Sequence, residues 1–566
     1  PRFVPWEVAA TEIVDYPRFG YRGLMIDSAR NFLTVAEVKS LVDDIAAMKG
    51  NKLHWHLTDD QSWRLEIKGP PEDPSRYASL YTTPGCNGAN CLTGWYTQAE
   101  FQEVVAYAAE RFVEIIPEIE GPAHASRAVA QVANLSCGNG GWFCTNPASP
   151  NNANAKAFMK EVYAQLAAIS PSQYVHIGAD EADGMAHAEY NQWIRDMEAM
   201  LADVGKNAVG WTPSASAYQN PDSVHHYWRD QTSDANTTMD CSWYQQGFPV
   251  LLSPPSVAYL DGQGPRNPAG NYAWDPSAVY DDHRLAVLQT SYCLNDADII
   301  GIEGPMWSES LRGLADNQYL ILTSMAALIE KAWTPQAKTQ QAGVFLATLA
   351  KQSARWSFEA TNYRPDSSVA WDTYGAGSVL SAGPDGVVSG ELAALSSTTV
   401  AKEAYTATID WGDGSASQAA VIAGSNAGTN RGPTLFTVSG SHTYSPGAVY
   451  AGTVAFVEGA NTYSLAFQVT VAPGLNLVVS ATPRCMGGKA YVNTSVRNDG
   501  DMSVDVATVT PYGSKTAAGV TPGRSASGSF NSRLVDMPPG VVEVEAVGAD
   551  QTTFGATVPY PGLDCG

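Results

Sequence analysis

The stretch YVHIGADEA, residues 174–182, ends an apolar, β-branched run on two adjacent carboxylates, Asp180 and Glu181. Carboxyl side chains hold and move protons, so such a pair at the end of a buried strand suits general acid/base work. A blander role competes, in which Asp180 caps a following helix and Glu181 meets its dipole, and for a lone Asp-Glu pair that role is the better fit. The neighbours reverse the balance. Four other segments carry acids, aromatics and histidines at the ends of apolar runs: HWHLTDDQSW (54–63), PEIEGPAH (117–124), YLD (259–261) and MWSE (306–309). Carboxyls for proton transfer, indole faces for sugar C–H surfaces and charged groups for hydroxyls are together what carbohydrate cleavage needs.

To act together these residues need one scaffold. Between residues 20 and 356 eight short apolar runs read as strands: YRGLMID, NKLHWHL, FVEIIPEIE, QYVHIGAD, KNAVGW, SVHHYW, PVLLSP and IIGIEGPMW. Helical patterns lie between the early ones, at 35–49 with Thr34 as N-cap, at 98–111 and at 155–168. Strands apolar on both faces that alternate with helices make a parallel sheet, and eight such units predict an α/β fold of the (β/α)8 TIM-barrel kind. Chemistry in that fold sits at the C-terminal strand ends, and YVHIGADEA closes the fourth strand. After about Trp371 the texture turns to Gly, Ser, Thr, Val and Ala in short alternating runs. Two small all-β, sandwich-like domains are expected there, giving domains at 1–372, 373–473 and 474–566.

The chain has 566 residues and a formal net charge of −24. Nucleic acid and anionic membrane surfaces select for basic patches, so neither is an expected partner. No run of 18 apolar residues occurs, so no spanning helix is predicted. The eight cysteines fall as near neighbours Cys86/Cys91, Cys137/Cys144 and Cys241/Cys293, with Cys485 and Cys565 bracketing the last segment. None forms a CxxC or Cys/His zinc pattern, which favours disulfides and a secreted, extracellular protein. The chain opens at Pro1 without a charged-then-apolar leader and reads as a mature or trimmed form. No cofactor and no metal are expected, and the sequence does not address oligomeric state.

Residues 18–356 resemble the family 20 glycoside hydrolases, the β-N-acetylhexosaminidase family. The motifs YRGLMIDSARNF, NKLHWHLTDDQSW, IIPEIEGPAH, YVHIGADE and MWSE carry the resemblance in family order, each at a different strand end. It implies a retaining enzyme that removes terminal β-linked N-acetylglucosamine or N-acetylgalactosamine from an oligosaccharide or glycoconjugate. The substrate's own 2-acetamido oxygen would be the nucleophile and an oxazolinium the intermediate. Carried over by motif, Glu181 is the general acid and then base, Asp180 holds the acetamido N–H, and Tyr259 donates to the acetamido oxygen. Trp211, Trp228 and Trp307 would wall the acetyl pocket. Arg30 and Glu309 match the ring-hydroxyl contacts, Asp261 and Trp274 those to the C4 and C6 side. His124 and Asp59 match a relay that positions Glu181 and raises its pKa, with Asp60 and Glu120 as simple supports. In the tail, WGDG (411–414) and HTY (442–444) resemble the polycystic-kidney-disease-type immunoglobulin-like domain.

The chain departs from the family's pattern in several places. Asn31 follows the sugar-binding Arg where His is common, Glu120 stands for Asp, and Ala179 for Gly. Thr212-Pro213 follows Trp211 in place of an acidic pair, and Glu303 and Pro305 replace smaller or neutral residues. No catalytic role is removed, but the outer subsites are not carried over. Two rivals follow: a lacto-N-biosidase-type enzyme releasing a disaccharide by the same mechanism, and a non-catalytic glycan-binding barrel. Intact Asp180, Glu181 and Tyr259 count against the second, and Glu309 with Asp261 at the non-reducing end against the first.

Overall fold

The computed structural model describes residues 2–3, 12–87, 90–138, 141–229, 247–262, 276–281, 294–359, 361–366, 368–371, 373–397, 402–425, 434–472, 475–549 and 551–566. Two compact units result, one built on residues 10–372 and one on residues 373–425 and 435–566.

The first unit is a closed parallel barrel. Its strands are β1 (Tyr21–Asp27), β2 (Lys52–His56), β3 (Glu114–Gly121), β4 (Tyr174–Gly178), β5 (Asn207–Trp211), β6 (Val224–Tyr227), β7 (Val250–Leu252) and β8 (Ile299–Met306). Each pairs with its sequence neighbours, and β8 closes on β1 through Gly301↔Tyr21 to Met306↔Ile26. All eight expected strands are therefore present in one barrel. β1 is buried along its whole length, as a strand covered on both faces must be.

Helices cover the barrel, and local chemistry sets where they begin. α1 (Val35–Ala47) starts at Thr34, whose hydroxyl accepts from the Glu37 amide while the Glu37 carboxylate accepts from the Thr34 amide. α2 (Gln98–Ala109) repeats this capping box with Thr97 and Glu100. Each reciprocal pair satisfies amides that the first helical turn leaves unbonded. α3 (Pro150–Ile169) begins five residues before the sequence pattern suggests, because Ser149 caps it and Pro150 occupies the first turn. α4 (His187–Asp203) and α5 (Gly313–Trp333) follow β4 and β8.

Disulfides join Cys86 to Cys91, Cys137 to Cys144 and Cys485 to Cys565. The expected Cys241/Cys293 pair lies outside the described residues. In the second unit, strands from Tyr374–Ala382 to Asn461–Val471 surround a core that includes Trp411, Phe436, Tyr444, Val454 and Phe467. Strands from Leu477–Met486 onward form three- and four-stranded sheets around a separate core of Val492, Val496, Val506, Val544 and Tyr560.

Candidate active site

The turn after β4 uses backbone that side chains rarely adopt. Gly178, Ala179 and Glu181 have φ of +67°, +82° and +48°. Such angles cost a residue bearing Cβ about 1 kcal/mol or more and persist where the surroundings enforce them. This explains why glycine suits position 179 and why Ala179 is an oddity there. Gly178 is required on a second ground: a Cβ at that position would stand 1.7 Å from Glu120 Oε2. The tight turn sends the adjacent carboxyls to different environments. Glu181 is exposed, whereas Asp180 is part-buried, its Oδ1 enclosed with no hydrogen-bond partner among the described residues.

Both carboxyls face a cavity of about 160 Å³ at the C-terminal end of the barrel. Arg30, Asp59, His124, Trp228, Tyr259, Trp307 and Glu309 line it with them, so nine of the twelve residues expected from sequence come together. Glu120, expected only as a support, also lines it. Trp211 does not. Its indole is 1 % exposed, stacks on His226 at 3.8 Å and donates to Glu118 Oε1 at 2.8 Å, which puts it inside the barrel behind Trp307, 5.9 Å away. Asp261 is not part of the lining either; it is part-buried two residues beyond Tyr259. Trp274 lies outside the described residues.

A chain of charged contacts runs across the cavity floor. Arg30 from the β1 loop meets Asp59 Oδ2 at 2.7 Å and Asp27 Oδ2 at 3.4 Å, and its guanidinium lies 5.0 Å over the Trp307 ring. Asp59 Oδ1 lies 3.4 Å from His124 Nδ1, and His124 Nε2 lies 3.3 Å from Glu181 Oε2. From below, His56 Nε2 is 3.1 Å from Asp59 Oδ2, and its Nδ1 bonds Glu118.

These contacts set protonation states. Burial alone would raise the Asp59 carboxyl, but Arg30, then His124 and His56, hold it well below the usual range. Burial opposes charge on His124, yet the bonds to Asp59 and Glu181 keep it cationic, far above an ordinary imidazole. Glu181 is consequently lowered, first by its bond to His124. This corrects the expectation that the His124/Asp59 relay raises Glu181: a cation at 3.3 Å favours the carboxylate. Asp180 goes the other way, raised to about 6 by burial despite His124. Glu120 is raised well above its ordinary value by burial and then by the Asp180 charge, which favours its protonated form. Asp261 is raised to about 7 by burial and by Glu309.

Sequence reasoning missed Arg229. Its guanidinium sits 4.0 Å over Trp228 and its charge favours ionised Glu181. The signal was present as a cation next to a strand-end Trp. The departure at 31 has a physical account: Asn31 Nδ2 donates to Ser308 O at 3.0 Å and also to Leu311 O, joining the first and last strand-end loops. At 120, Glu120 Oε1 stands 3.9 Å from His56 Nδ1, Oε2 has no hydrogen-bond partner among the described residues, and the amide donates to Thr58 Oγ1 at 2.9 Å.

Comparison with known proteins agrees with this geometry. The family model described as glycosyl hydrolase family 20, catalytic domain, matches residues 19–336. A beta-N-acetylhexosaminidase of Cellulomonas fimi is 30% identical over 384 residues, covering 64% of this chain and 73% of the relative. A beta-hexosaminidase of Porphyromonas gingivalis is 29% identical over 405 residues, covering 64% of this chain but only 49% of the relative. Among solved structures, the beta-N-acetylhexosaminidase of Streptomyces coelicolor A3(2) superposes with a TM-score of 0.56 at 29% identity, over 63% of this chain and 72% of that one. A mutant Streptomyces plicatus beta-hexosaminidase in complex with product, GlcNAc, gives the same values.

Proposed function

We propose, for a chain that belongs to glycosyl hydrolase family 20, that the barrel is a retaining exo-β-N-acetylhexosaminidase working through the substrate's own acetamido group. The observation that carries this is the contrast between neighbours: Asp180 offers an enclosed oxygen with no hydrogen-bond partner among the described residues, while Glu181 is exposed beside cationic His124. A buried acceptor without a donor is costly. The acetamido N–H of a bound sugar would supply that donor.

With the N–H held by Asp180 and the acetamido oxygen held by the Tyr259 hydroxyl, that oxygen is aimed at the anomeric carbon. Its attack forms the C1–O bond of an oxazolinium as the glycosidic C1–O bond breaks, and Glu181 gives its proton to the departing oxygen. Ionised Asp180 balances the positive charge that develops on the ring. Glu181 then takes a proton from the water that opens the intermediate, which restores the anomeric configuration. Glu181 must be protonated for the first step; an aglycone lying over its exposed side chain removes water from it and raises its pKa. Arg30 and Glu309 would take ring hydroxyls, and Trp307 and Trp228 the apolar sugar faces.

The cavity bounded by the described residues is smaller than the ~300 Å³ at which drug-sized pockets begin, which favours one sugar ring and release of a monosaccharide. A thiazoline mimic of the oxazoline should compete with a chromogenic β-N-acetylglucosaminide and bind far more tightly than it. A mimic that binds no better than the free sugar would sink the substrate-assisted route. Secretion belongs to the same proposal, supported by three disulfides. So does the division of the tail into a polycystic-kidney-disease-type domain at 373–473 and a final sandwich at 474–566, supported by its two separate cores.

A further inference from the structure

Tyr190, in the first turn of α4, reaches back to the turn that carries Asp180 and Glu181. Its hydroxyl donates to Ala179 O at 2.8 Å, a contact between two buried residues. Packing fixes the ring: Tyr190, Trp193, Ile194, Met197 and Leu201 recur at helical spacing on the buried face of α4, and Trp193 stacks on Phe143 with centroids 5.5 Å apart.

Ala179 and Asp180 share one peptide plane, with the Ala179 carbonyl at one end and the Asp180 amide at the other. The plane is rigid, so swinging the carbonyl changes ψ of Ala179 and φ of Asp180 together and re-aims the Asp180 side chain. A hydrogen bond that fixes Ala179 O therefore fixes the direction of the carboxyl one residue on.

Two forces act to open this turn. Ala179 at φ +82° and Glu181 at +48° would relax in a looser backbone. Burial holds the Asp180 carboxyl up at about 6, and an opened turn would let its ionised form reach water. The Tyr190 bond opposes both. A left-handed alanine and a buried carbonyl that loses its donor each shift an equilibrium about tenfold, so this bond is of the size needed to offset the strain at 179. The donor also keeps its proton, because burial, then neighbours that include Asp180 and Glu120, hold the Tyr190 phenol well above its ordinary value.

We propose that Tyr190 is a positioning residue for the reaction: by holding the Ala179 carbonyl, its hydroxyl keeps the Asp180 carboxyl aimed at the acetamido N–H. This rests on the acetamido-holding role of Asp180. Tyr190 is not part of the cavity lining, so it acts through the peptide and not on the sugar. A misdirected carboxylate loses most where the charge it balances develops, so the transition state suffers more than the bound substrate and kcat falls more than KM rises.

The test is Tyr190→Phe in the full chain, which removes one oxygen and keeps the packed ring. On an activated aryl β-N-acetylglucosaminide kcat/KM should fall about 10–100-fold, the cost of a small misplacement at a catalytic group. Affinity for the thiazoline mimic should fall at least about tenfold, while affinity for free N-acetylglucosamine changes less than about threefold. A merely structural role would lower the amount of folded enzyme and leave both affinities as they were. In the Asp180→Asn background the hydroxyl should matter less than about threefold, since the group it aims is already altered. Unchanged mimic affinity in Tyr190→Phe, or equal losses with and without the Asp180 carboxylate, would overturn the proposal alone. A wild-type enzyme that binds the mimic no better than N-acetylglucosamine would remove the substrate-assisted function, and this role with it. Should Tyr190→Phe not fold, the comparison moves to the Ala179→Gly background, where the strain is gone but the peptide is freer still: the tenfold loss of mimic affinity supports the role, and its absence overturns it.

Discussion

Asp180→Asn separates charge from shape at the position assigned to the acetamido group. An amide fills the same space and can turn its carbonyl to the N–H, so what is removed is the negative charge that balances the oxazolinium. Positioned electrostatic groups of this kind are worth about 10²–10³ in rate, or roughly 3–4 kcal/mol of barrel-held stabilisation. The pH profile gives a second readout. Asp180 is raised to about 6, and it works ionised. At pH 7 about nine-tenths of the enzyme carries the charge and at pH 5 about one-tenth, so kcat/KM should fall with acid below about pH 6. An activated aryl β-N-acetylglucosaminide is the substrate of choice, because its leaving group needs little help from Glu181. The variant should be slower and should lose this acid limb. Stability moves the opposite way. A carboxyl whose folded pKa lies above its unfolded value binds more protons in the folded state, so its burial costs stability as pH rises from the unfolded value through about 6. Removing the charge should therefore stabilise the barrel at pH 7 by up to about 3 kcal/mol, an advantage that fades as pH falls toward 4. A variant within about threefold of the wild-type rate, or one that keeps the acid limb, would refute the assignment.

Three further substitutions probe the neighbours. Glu181→Gln should cost about 10²–10⁴-fold with poor leaving groups and much less with activated aryl glycosides; equal losses on both would remove Glu181 as the acid. Because burial and the Asp180 charge favour protonated Glu120, Glu120→Gln should keep kcat/KM within about threefold at pH 6, and a loss of 10²-fold would show that its ionised form is needed. Gly178→Ala places a Cβ against Glu120 Oε2 at a φ of +67° and should cost at least about 2 kcal/mol in denaturant unfolding as well as activity; an unchanged midpoint would show that the turn relaxes freely.

The barrel was legible because each of its strands is a short apolar run with punctuated ends, and α1 and α2 announce themselves through Thr-x-x-Glu capping boxes. Strand-end position also located most of the cavity. It could not say which way a strand-end side chain turns. Trp211 ends β5 as Trp228 follows β6, yet the first is drawn inward by the Glu118 carboxylate while the second bonds Thr212 O at 2.9 Å beside the cavity. Nor could it separate Glu118 from Glu120, which share one face of β3 at a spacing of two. The first reaches His54, His56 and His176, the second the cavity. The direction of the Glu181 shift was illegible for a related reason: it depends on whether His124 is charged, and that depends on Asp59, 65 residues away in sequence.

The charge chain from core to mouth has a consequence for selectivity. Glu118, His56, Asp59, His124 and Glu181 alternate in sign, each held by the next. At rest this leaves Glu181 biased toward its anion, while burial raises Asp180 only to about 6. The first step requires Glu181 protonated and Asp180 ionised. A bound sugar with an acetamido group supplies a donor that favours ionised Asp180, and an aglycone covering Glu181 favours its protonated form. The aglycone thus corrects Glu181, and the acetamido group holds Asp180 ionised where acid would protonate it. Below about pH 6, therefore, selectivity for an intact N-acetylhexosaminide draws on protonation as well as on shape.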